Sequence, residues 1–249
     1  MYIRKTYQMG RYREVHNYFP ANYGAPGMKR GPCRKKTPED VEKANMRERI
    51  RRIKGLILCN FGPGDYHLIL NYRPGEQPED FGEAGRQLQK FHRKMRTLCR
   101  KAGKEYKYIA ITERGRRGSI LHHHLIIQDI EGMNTARVVK ECWEHGNCYF
   151  SGLYEEGEYE KLAGYLAKKE TKDAEGGKSY SASRNLQKPA VKTERMARRI
   201  WPEPKAPKGW ILIKDSVVEG ENPVTGYPYQ HYMIRREDVW RLPYSSRHP

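Results

Sequence analysis

Apolar and polar residues alternate with a period of two in several short segments of the chain, and this alternation predicts β-strands. The alternation is clearest in YHLILNY (66–72), YKYIAITE (106–113) and SILHHHLIIQD (119–129). The residues RGRRG between the last two segments predict a hairpin loop that joins them. Shorter apolar runs predict four more strands, at 56–59, 147–154, 210–218 and 230–238.

Other segments place apolar residues three and four positions apart, which predicts amphipathic helices. In the clearest of them, Leu88, Phe91, Met95 and Leu98 follow this spacing, and Gly103 ends the segment. Another segment has Glu residues in its first turn and Lys residues in its last, the distribution that the helix dipole favours. The four predicted helices span 37–52, 79–101, 135–146 and 158–170.

The succession strand–helix–strand–strand–helix–strand–helix predicts an α+β fold in which helices pack on one antiparallel sheet. We expect this domain to occupy residues 37–190. Residues 1–36 mix Arg and Lys with Tyr, Gly and Pro, and this composition predicts a flexible basic arm. Residues 191–249 predict a C-terminal extension that is only partly ordered.

The charge of the chain predicts a polyanionic partner. Lys and Arg number 48 against 30 Asp and Glu, which gives a formal net charge of +18. The excess lies in segments 1–54, 86–107 and 168–208, while segment 131–160 is acidic. Because phosphate backbones attract Lys and Arg, seven basic residues are candidates for DNA contacts. They are Arg93, Arg96, Arg100, Lys101, Arg116, Arg117 and Lys169.

The composition argues against two other classes of protein. Mean hydropathy is −0.96, and the absence of any run of 18 apolar residues argues against a membrane protein. The five cysteines are odd in number and form no Cys-x-x-Cys motif, which argues against a disulfide framework. The first residues contain no apolar signal segment. We therefore expect a soluble, cytoplasmic protein.

Three consecutive histidines lie within one predicted strand. Because side chains alternate along a strand, His122 and His124 share one face and His123 points to the other. If the hairpin folds about 117–118, Glu113 lies opposite His122 on the same face. One carboxylate and two imidazoles then predict a site for Mg²⁺ or Mn²⁺ with open positions. An exposed histidine cluster, or a single core histidine, is the alternative.

A second group of candidate residues lies on the last predicted helix. Lys168 and Lys169 follow Tyr165 by three and four positions, so they share its side of the helix. Leu162 and Leu166 flank that side and would hold it against the sheet. Nearby ammonium groups favour the phenolate form of a tyrosine, the form that acts as a nucleophile. A core tyrosine on an amphipathic helix is the alternative interpretation.

These motifs resemble those of the HUH endonucleases, the single-strand nickases that start rolling-circle replication. ILHHHLII is similar to their His-hydrophobic-His strand, except that His123 stands where the family usually has an apolar or aromatic residue. LILNY (68–72) resembles their first motif, and Glu113 resembles their third metal ligand. GYLAKKE resembles their tyrosine helix, with Tyr165 followed by Lys168, and SASRNLQKP (181–189) resembles a segment that follows this helix in plasmid and prophage initiators.

The resemblance covers roughly residues 55–190 and implies several properties. The fold would be an RRM-like, ferredoxin-like antiparallel sheet. Glu113, His122 and His124 would hold Mn²⁺ or Mg²⁺, and Tyr165 would be the single nucleophile, assisted by Lys168. The substrate would be a single strand or hairpin at an origin, with host helicase and polymerase as further partners. The protein would be a rolling-circle replication initiator of a mobile element.

Three alternatives stay open at this point. A mobilisation relaxase or a single-strand transposase would use the same chemistry. A non-catalytic RNA- or single-strand-binding protein with an RRM-like sheet would carry aromatic residues in place of the ligands. A zinc module would use Cys142, His145 and Cys148, but this spacing matches no common zinc site and lacks a fourth ligand.

Overall fold

The computed structural model describes residues 1–20, 31–115, 120–153, 162–164, 166 and 180–237. The chain divides into two compact units, which we call the terminal unit (Met1–Pro38 with Pro189–Pro249) and the central unit (Glu39–Lys188). The elements in chain order are β1 (Tyr2–Met9), β2 (Tyr12–Tyr18), α1 (Pro38–Asn60), β3 (Tyr66–Asn71), α2 (Phe81–Lys101), β4 (Tyr108–Arg114), β5 (Leu121–Ile127), α3 (Thr135–Cys142), β6 (Cys148–Gly152), β7 (Ser181–Ala182), β8 (Ala190–Met196), β9 (Trp210–Glu221) and β10 (Pro228–Arg236).

The fold is α+β, as the sequence predicts, but it has two sheets rather than one. Each sheet contains five strands, and the strand pairs are antiparallel. The order is β6-β3-β5-β4-β7 in the central unit and β8-β1-β2-β10-β9 in the terminal unit. None of the helices among the described residues is both long and apolar enough to span a membrane.

Helices α2 and α3 cover one face of the central sheet. Asp80 caps α2 by accepting a hydrogen bond from the Glu83 N–H, and the helix then turns a row of apolar side chains inward. Phe91 and Met95 of this row pack in one cluster with Leu68 of β3 and Leu125 of β5. The opposite face of β5 therefore points away from these helices, and it carries His122 and His124.

The terminal unit shows that the first 20 residues are not a flexible arm. They form strands β1 and β2, joined by a turn in which Gly10 has a φ of 56°. Tyr2 and Met9 are almost fully buried. The expectation was wrong because β1 pairs with β8 across 182–194 residues of chain, and β2 with β10 across 211–223. The C-terminal extension likewise contributes three strands to this sheet.

The predicted strand at 56–59 is also wrong, because these residues are the last turn of α1. Ile53, Leu56 and Ile57 are buried together, at the three- and four-residue spacing of a helix. The Asn60 side chain donates to the Leu56 carbonyl and closes the helix. A run of four apolar residues is compatible with either structure, so the pattern alone could not decide. The other strands and helices predicted within the described residues occur close to their expected bounds.

A ladder of polar side chains crosses four strands of the terminal sheet. Arg4 donates to Asn17 (3.0 Å), Asn17 donates to Gln230 (2.7 Å), and Gln230 donates to Glu219 (2.6 Å). Asn17 and Gln230 are each only 1% exposed, so water cannot replace these bonds. The ladder links the N-terminal hairpin to the C-terminal one.

Substituting Asn17 should therefore destabilise the protein. Asn17→Ala leaves the buried Gln230 carbonyl without a donor, and we expect the free energy of unfolding to fall by about 1–3 kcal/mol. Thr193→Ala, at an exposed position of the same sheet, is the matched control and should cost less than about 0.5 kcal/mol. Urea denaturation of both variants makes the measurement. Equal stability of the two variants would contradict a structural role for the ladder.

Candidate metal centre

The centre lies on the face of the central sheet that α2 and α3 leave uncovered. In the β4–β5 hairpin Glu113 pairs with His122 and Ile111 pairs with His124. This is the register that the sequence predicts, in which the two paired residue numbers sum to 235. The two imidazoles and the carboxylate therefore lie on one face of adjacent strands.

The three side chains converge on a common point. Glu113 Oε1 lies 3.1 Å from His122 Nε2 and 3.1 Å from His124 Nε2, and all three ligand atoms lie within 4.8 Å of one another. Ligands bound at about 2.1 Å to one octahedral ion lie about 3 Å apart when adjacent. The residues thus fit a divalent ion, and three protein ligands leave positions for water or a phosphate oxygen.

His67 extends the cluster, and sequence analysis missed it. His67 Nε2 lies 3.1 Å from His124 Nδ1, and the two rings stack with their centroids 5.3 Å apart. Ser151 Oγ lies 3.4 Å from the other ring nitrogen of His67. Burial, followed by the proximity of His124, lowers the pKa of His67 to about 4, so His67 is neutral at pH 7.

This neutral ring sets the tautomer that His124 needs as a ligand. When His124 Nε2 offers its lone pair to an ion, the proton of the ring sits on Nδ1. His67 Nε2 can then accept that proton in a hydrogen bond, while its own Nδ1–H points to Ser151. The contact could not be found from the sequence, because residues 67 and 124 belong to strands whose register no local turn determines.

His123 lies on the opposite face, as strand alternation predicts. It is fully buried, and it hydrogen-bonds the Tyr72 hydroxyl (2.7 Å) and the Thr112 hydroxyl (2.8 Å). Burial lowers its pKa to about 3, so the ring stays neutral. His123 is therefore a core residue and not part of the His122–His124 pair.

The predicted nucleophile and its lysines lie outside the described residues, as do two of the basic candidates. These residues are Tyr165, Lys168, Lys169, Arg116 and Arg117. Around Tyr165 the residues 162–164 and 166 are helical, in agreement with the predicted helix. Ala163 and Leu166 are fully buried, and Leu162 is half-buried.

The remaining basic candidates all lie on α2. Arg93, Arg96 and Arg100 are exposed at three- and four-residue spacing, and Lys101 is exposed beside them. Because the inner row of α2 packs on the face opposite to His122 and His124, these residues lie on the other side of the sheet from the metal centre. The structure therefore does not bring them together with the metal ligands.

Among the described residues, Cys142, His145 and Cys148 do not form the zinc site that the sequence left open as an alternative. Glu113, His122 and His124 are the one group of three metal-ligating side chains found among the described residues. Cys142 is buried in the core, and burial raises the pKa values of Cys142 and Cys148 to about 11. Burial thus disfavours the thiolate forms in which cysteines bind zinc.

The fold and the site thus define an α+β domain in which two histidines and a glutamate on one sheet face could hold a metal ion. The family comparison is more specific, because residues 65–174 match the model of the ORF2-type replication-associated protein family. The matched segment contains Glu113, His122, His124 and Tyr165. Residues 65–174 are thus similar to a family of HUH-type rolling-circle replication proteins. Comparison with curated proteins and with solved structures finds no match.

The His67 contact predicts a measurable effect on metal affinity. His67→Phe keeps a ring beside His124 but removes the hydrogen-bond acceptor, and we expect Mn²⁺ affinity to fall about 10- to 100-fold. His67→Gln, whose amide oxygen can accept a hydrogen bond, should restore most of the affinity. Calorimetric titration with Mn²⁺ measures the effect, and thermal melting verifies that the variants are folded.

His145→Phe is the matched control, because it removes a histidine that hydrogen-bonds Glu76 instead of the metal cluster. Its Mn²⁺ affinity should equal that of the unchanged protein. If His67→Phe also bound Mn²⁺ normally, His67 would have no part in holding the ligand.

Proposed function

We propose that this protein nicks single-stranded DNA at a replication origin through a covalent link to Tyr165, and later rejoins the strand. The observation that carries the proposal is the convergence of Glu113, His122 and His124 on one sheet face within the segment matched by the family. Tyr165 lies in the same segment, beside helical residues that are buried.

The order of elements supports an RRM-like HUH fold for the central unit. Strand β3 is followed by α2, β4, β5, α3 and β6, which is the ferredoxin-like β-α-β-β-α-β succession. The two strands that carry the ligands are neighbours within the sheet rather than at its edge. His122 and His124 pair with residues of both neighbouring strands and Glu113 pairs with β5, which suits a site that must hold a fixed geometry.

The three ligands and the open positions suit Mn²⁺ or Mg²⁺. When bound, the ion would polarise the scissile phosphate and stabilise the charge that develops on it. Glu113 would supply the hard oxygen ligand that such ions prefer, and the two imidazoles would orient the ion. His67 would hold the His124 ring in the required tautomer.

The chemical step exchanges one phosphoester for another. The Tyr165 oxygen, having lost its proton to solvent, attacks the phosphorus atom, and the bond from phosphorus to the 3′ oxygen breaks. The 3′ oxygen takes up a proton, which leaves a free 3′-OH for a polymerase and a 5′-phosphotyrosine on the protein. Because one phosphoester replaces another, the reverse attack by a 3′-OH rejoins the strand without ATP. Lys168 would stabilise the phenolate and the charged phosphate.

The charge of the two units supports DNA as the partner. The terminal unit holds 20 Lys and Arg against 8 Asp and Glu, a net charge of +12. The central unit holds 28 against 22, a net charge of +6. The terminal sheet would thus contribute electrostatic affinity for the phosphate backbone, and the central unit would perform the chemistry. Host helicase and polymerase would act on the nicked strand.

Adduct formation tests the proposed nucleophile. Incubation with labelled single-stranded origin DNA and Mn²⁺ should give an SDS-stable protein–DNA adduct, and peptide mapping should find the nucleotide on Tyr165. Tyr165→Phe should lose the adduct because only the hydroxyl is removed. Tyr159→Phe is the matched control and should keep it, since several glutamates surround Tyr159 in the sequence and disfavour phenolate there.

Other outcomes of this experiment would favour other functions. An adduct on a residue other than Tyr165 would contradict the assignment of the nucleophile. DNA binding without any adduct would support a non-catalytic single-strand-binding protein. Nicking of a transfer origin or of a transposon end, in preference to a replication origin, would support a relaxase or a transposase.

Salt dependence tests the electrostatic part of binding. Each phosphate that a Lys or Arg neutralises contributes a slope of about −0.7 in log K against log[salt] for a single strand. We expect a total slope of several units, measured by fluorescence anisotropy between low and moderate salt. The Arg93→Ala, Arg96→Ala, Arg100→Ala triple variant should have a shallower slope. A flat response of the unchanged protein would argue against binding through the DNA backbone.

A further inference from the structure

We propose that the cleft at the edge strand β6 binds one nucleotide of the single strand next to the metal centre. The base would stack on Tyr149, and the phosphate would lie against Lys140. The proposal rests on the proposed function, because it takes single-stranded DNA as the substrate of the central unit. It adds a nucleotide-binding site at the edge of the central sheet that β6 forms.

Tyr149 lies on the same sheet face as the metal ligands. In the strand register Tyr149 pairs with Ile69, and Ile69 pairs with His124, so the three residues form one row across β6, β3 and β5. Residues in one row of an antiparallel sheet point to the same face. Two strand spacings place the Tyr149 backbone about 10 Å from that of His124. A strand bound at the metal can therefore continue over Tyr149.

Tyr149 is unusual among the apolar and aromatic residues of the central sheet because it is 55% exposed. Its neighbours in the row, Ile69 and His124, are half-buried and buried. The exposed Tyr149 ring therefore offers a platform on the ligand face on which a nucleobase can stack. Stacking tolerates any base sequence, because every base presents a flat aromatic face.

A preformed cleft lies beside this ring. It has a volume of about 400 Å³ and is lined by Lys140, Gly146, Asn147, Cys148 and Tyr149. Volumes of a few hundred cubic ångströms are typical of small-ligand sites. A second cleft of about 550 Å³ adjoins it through Lys140 and runs along α3 past Asn134 and Arg137. Lys140 thus lines both clefts.

The wall of the first cleft is held rigidly against the sheet. Asn71 N–H donates to the Asn147 carbonyl (2.9 Å), and Arg73 N–H donates to the His145 carbonyl (2.8 Å). At Gly146 a Cβ atom would collide with the Asn71 carbonyl oxygen, so only glycine permits this close approach. The loop before β6 therefore needs little reorganisation to receive a ligand.

The charges in the clefts favour a phosphate next to Tyr149. Lys140 is exposed, and none of the ion pairs found among the described residues involves it. In the second cleft, which Lys140 also lines, Arg137 is paired with Glu141 at 2.7 Å, so Lys140 supplies the net positive charge of both clefts. Because α3 packs on the other face of the sheet, a phosphate would reach Lys140 around the edge strand β6, and single-strand-binding sites combine such a charge with a stacking ring.

Anisotropy titrations of the full chain with a fluorescein-labelled, mixed-sequence 25-nucleotide DNA strand test the proposal. Tyr149→Ala should raise Kd about 5- to 150-fold, because one base loses its stacking partner. Tyr149→Phe keeps the ring and should bind within about twofold of the unchanged protein. Lys140→Ala should make the salt slope shallower by about 0.7.

Val41→Ala is the control, since Val41 is an exposed apolar residue on α1 of the central unit. Its Kd should stay within about twofold of the unchanged protein. Unchanged binding by Tyr149→Ala, or an equal loss in Val41→Ala and Tyr149→Ala, would overturn the proposal. An equal loss of affinity for duplex DNA would also overturn it, because paired bases cannot stack on Tyr149.

A second readout separates this inference from the proposed nuclease. Tyr149→Ala should still form the Tyr165 adduct when the DNA is saturating, because Tyr149 touches no reacting atom. Photocrosslinking with 5-iododeoxyuridine strands should attach DNA to the peptide that contains Tyr149, whether or not nicking occurs. A crosslink found only on peptides remote from 140–149 would contradict the site, even if the adduct on Tyr165 formed normally.

Discussion

The geometry of the metal centre depends on the register of a single hairpin, the pairing of β4 with β5. With Glu113 opposite His122, alternation sends the carboxylate and both ligating imidazoles to one face. The same register sends Thr112 and His123 to the other face, beneath the helices. A slip by one residue would exchange the two faces, moving the core histidine to the ligand face and a carboxylate into the apolar cluster beneath the helices. The strand register that packs the core is thus also the register that brings the metal ligands together.

The apolar core stabilises this register. Strand β5 lies between β3 and β4, and its residues Leu121, Leu125 and Ile127 are almost fully buried against α2 and α3. A slip that moved these three side chains to the ligand face would break this packing, and the burial of each one is worth about 1.5–3 kcal/mol. The ligand geometry can therefore persist without help from an ion, because apolar packing on one face determines the positions on the other.

How far the sequence predicts each feature depends on how local its cause is. The hairpin that carries Glu113 and His122 closes within about ten residues, so alternation and one turn suffice to predict the pairing. His67 reaches His124 through a pairing of strands 57 residues apart, and no local pattern specifies that register. Strands β1 and β2 find their partners even further along the chain. This segment is rich in Tyr and Arg, a composition that also occurs in loops. Nothing local in the sequence therefore indicates that Tyr2 and Met9 are buried.

The middle histidine of the triplet, His123, is explained by its hydrogen bonds in the core. A buried neutral imidazole has one donor and one acceptor, and leaving either unpaired costs about 1–3 kcal/mol. Tyr72 and Thr112 have hydroxyl groups that can fill both roles, and the Trp143 ring packs edge-on against His123. Tyr72 ends the segment LILNY, which resembles the first motif of the HUH endonucleases, so in this chain that segment supplies a partner for His123. The two hydroxyls therefore satisfy the hydrogen-bonding groups of the buried His123 ring. The ligand pair on the other face of the sheet is unaffected.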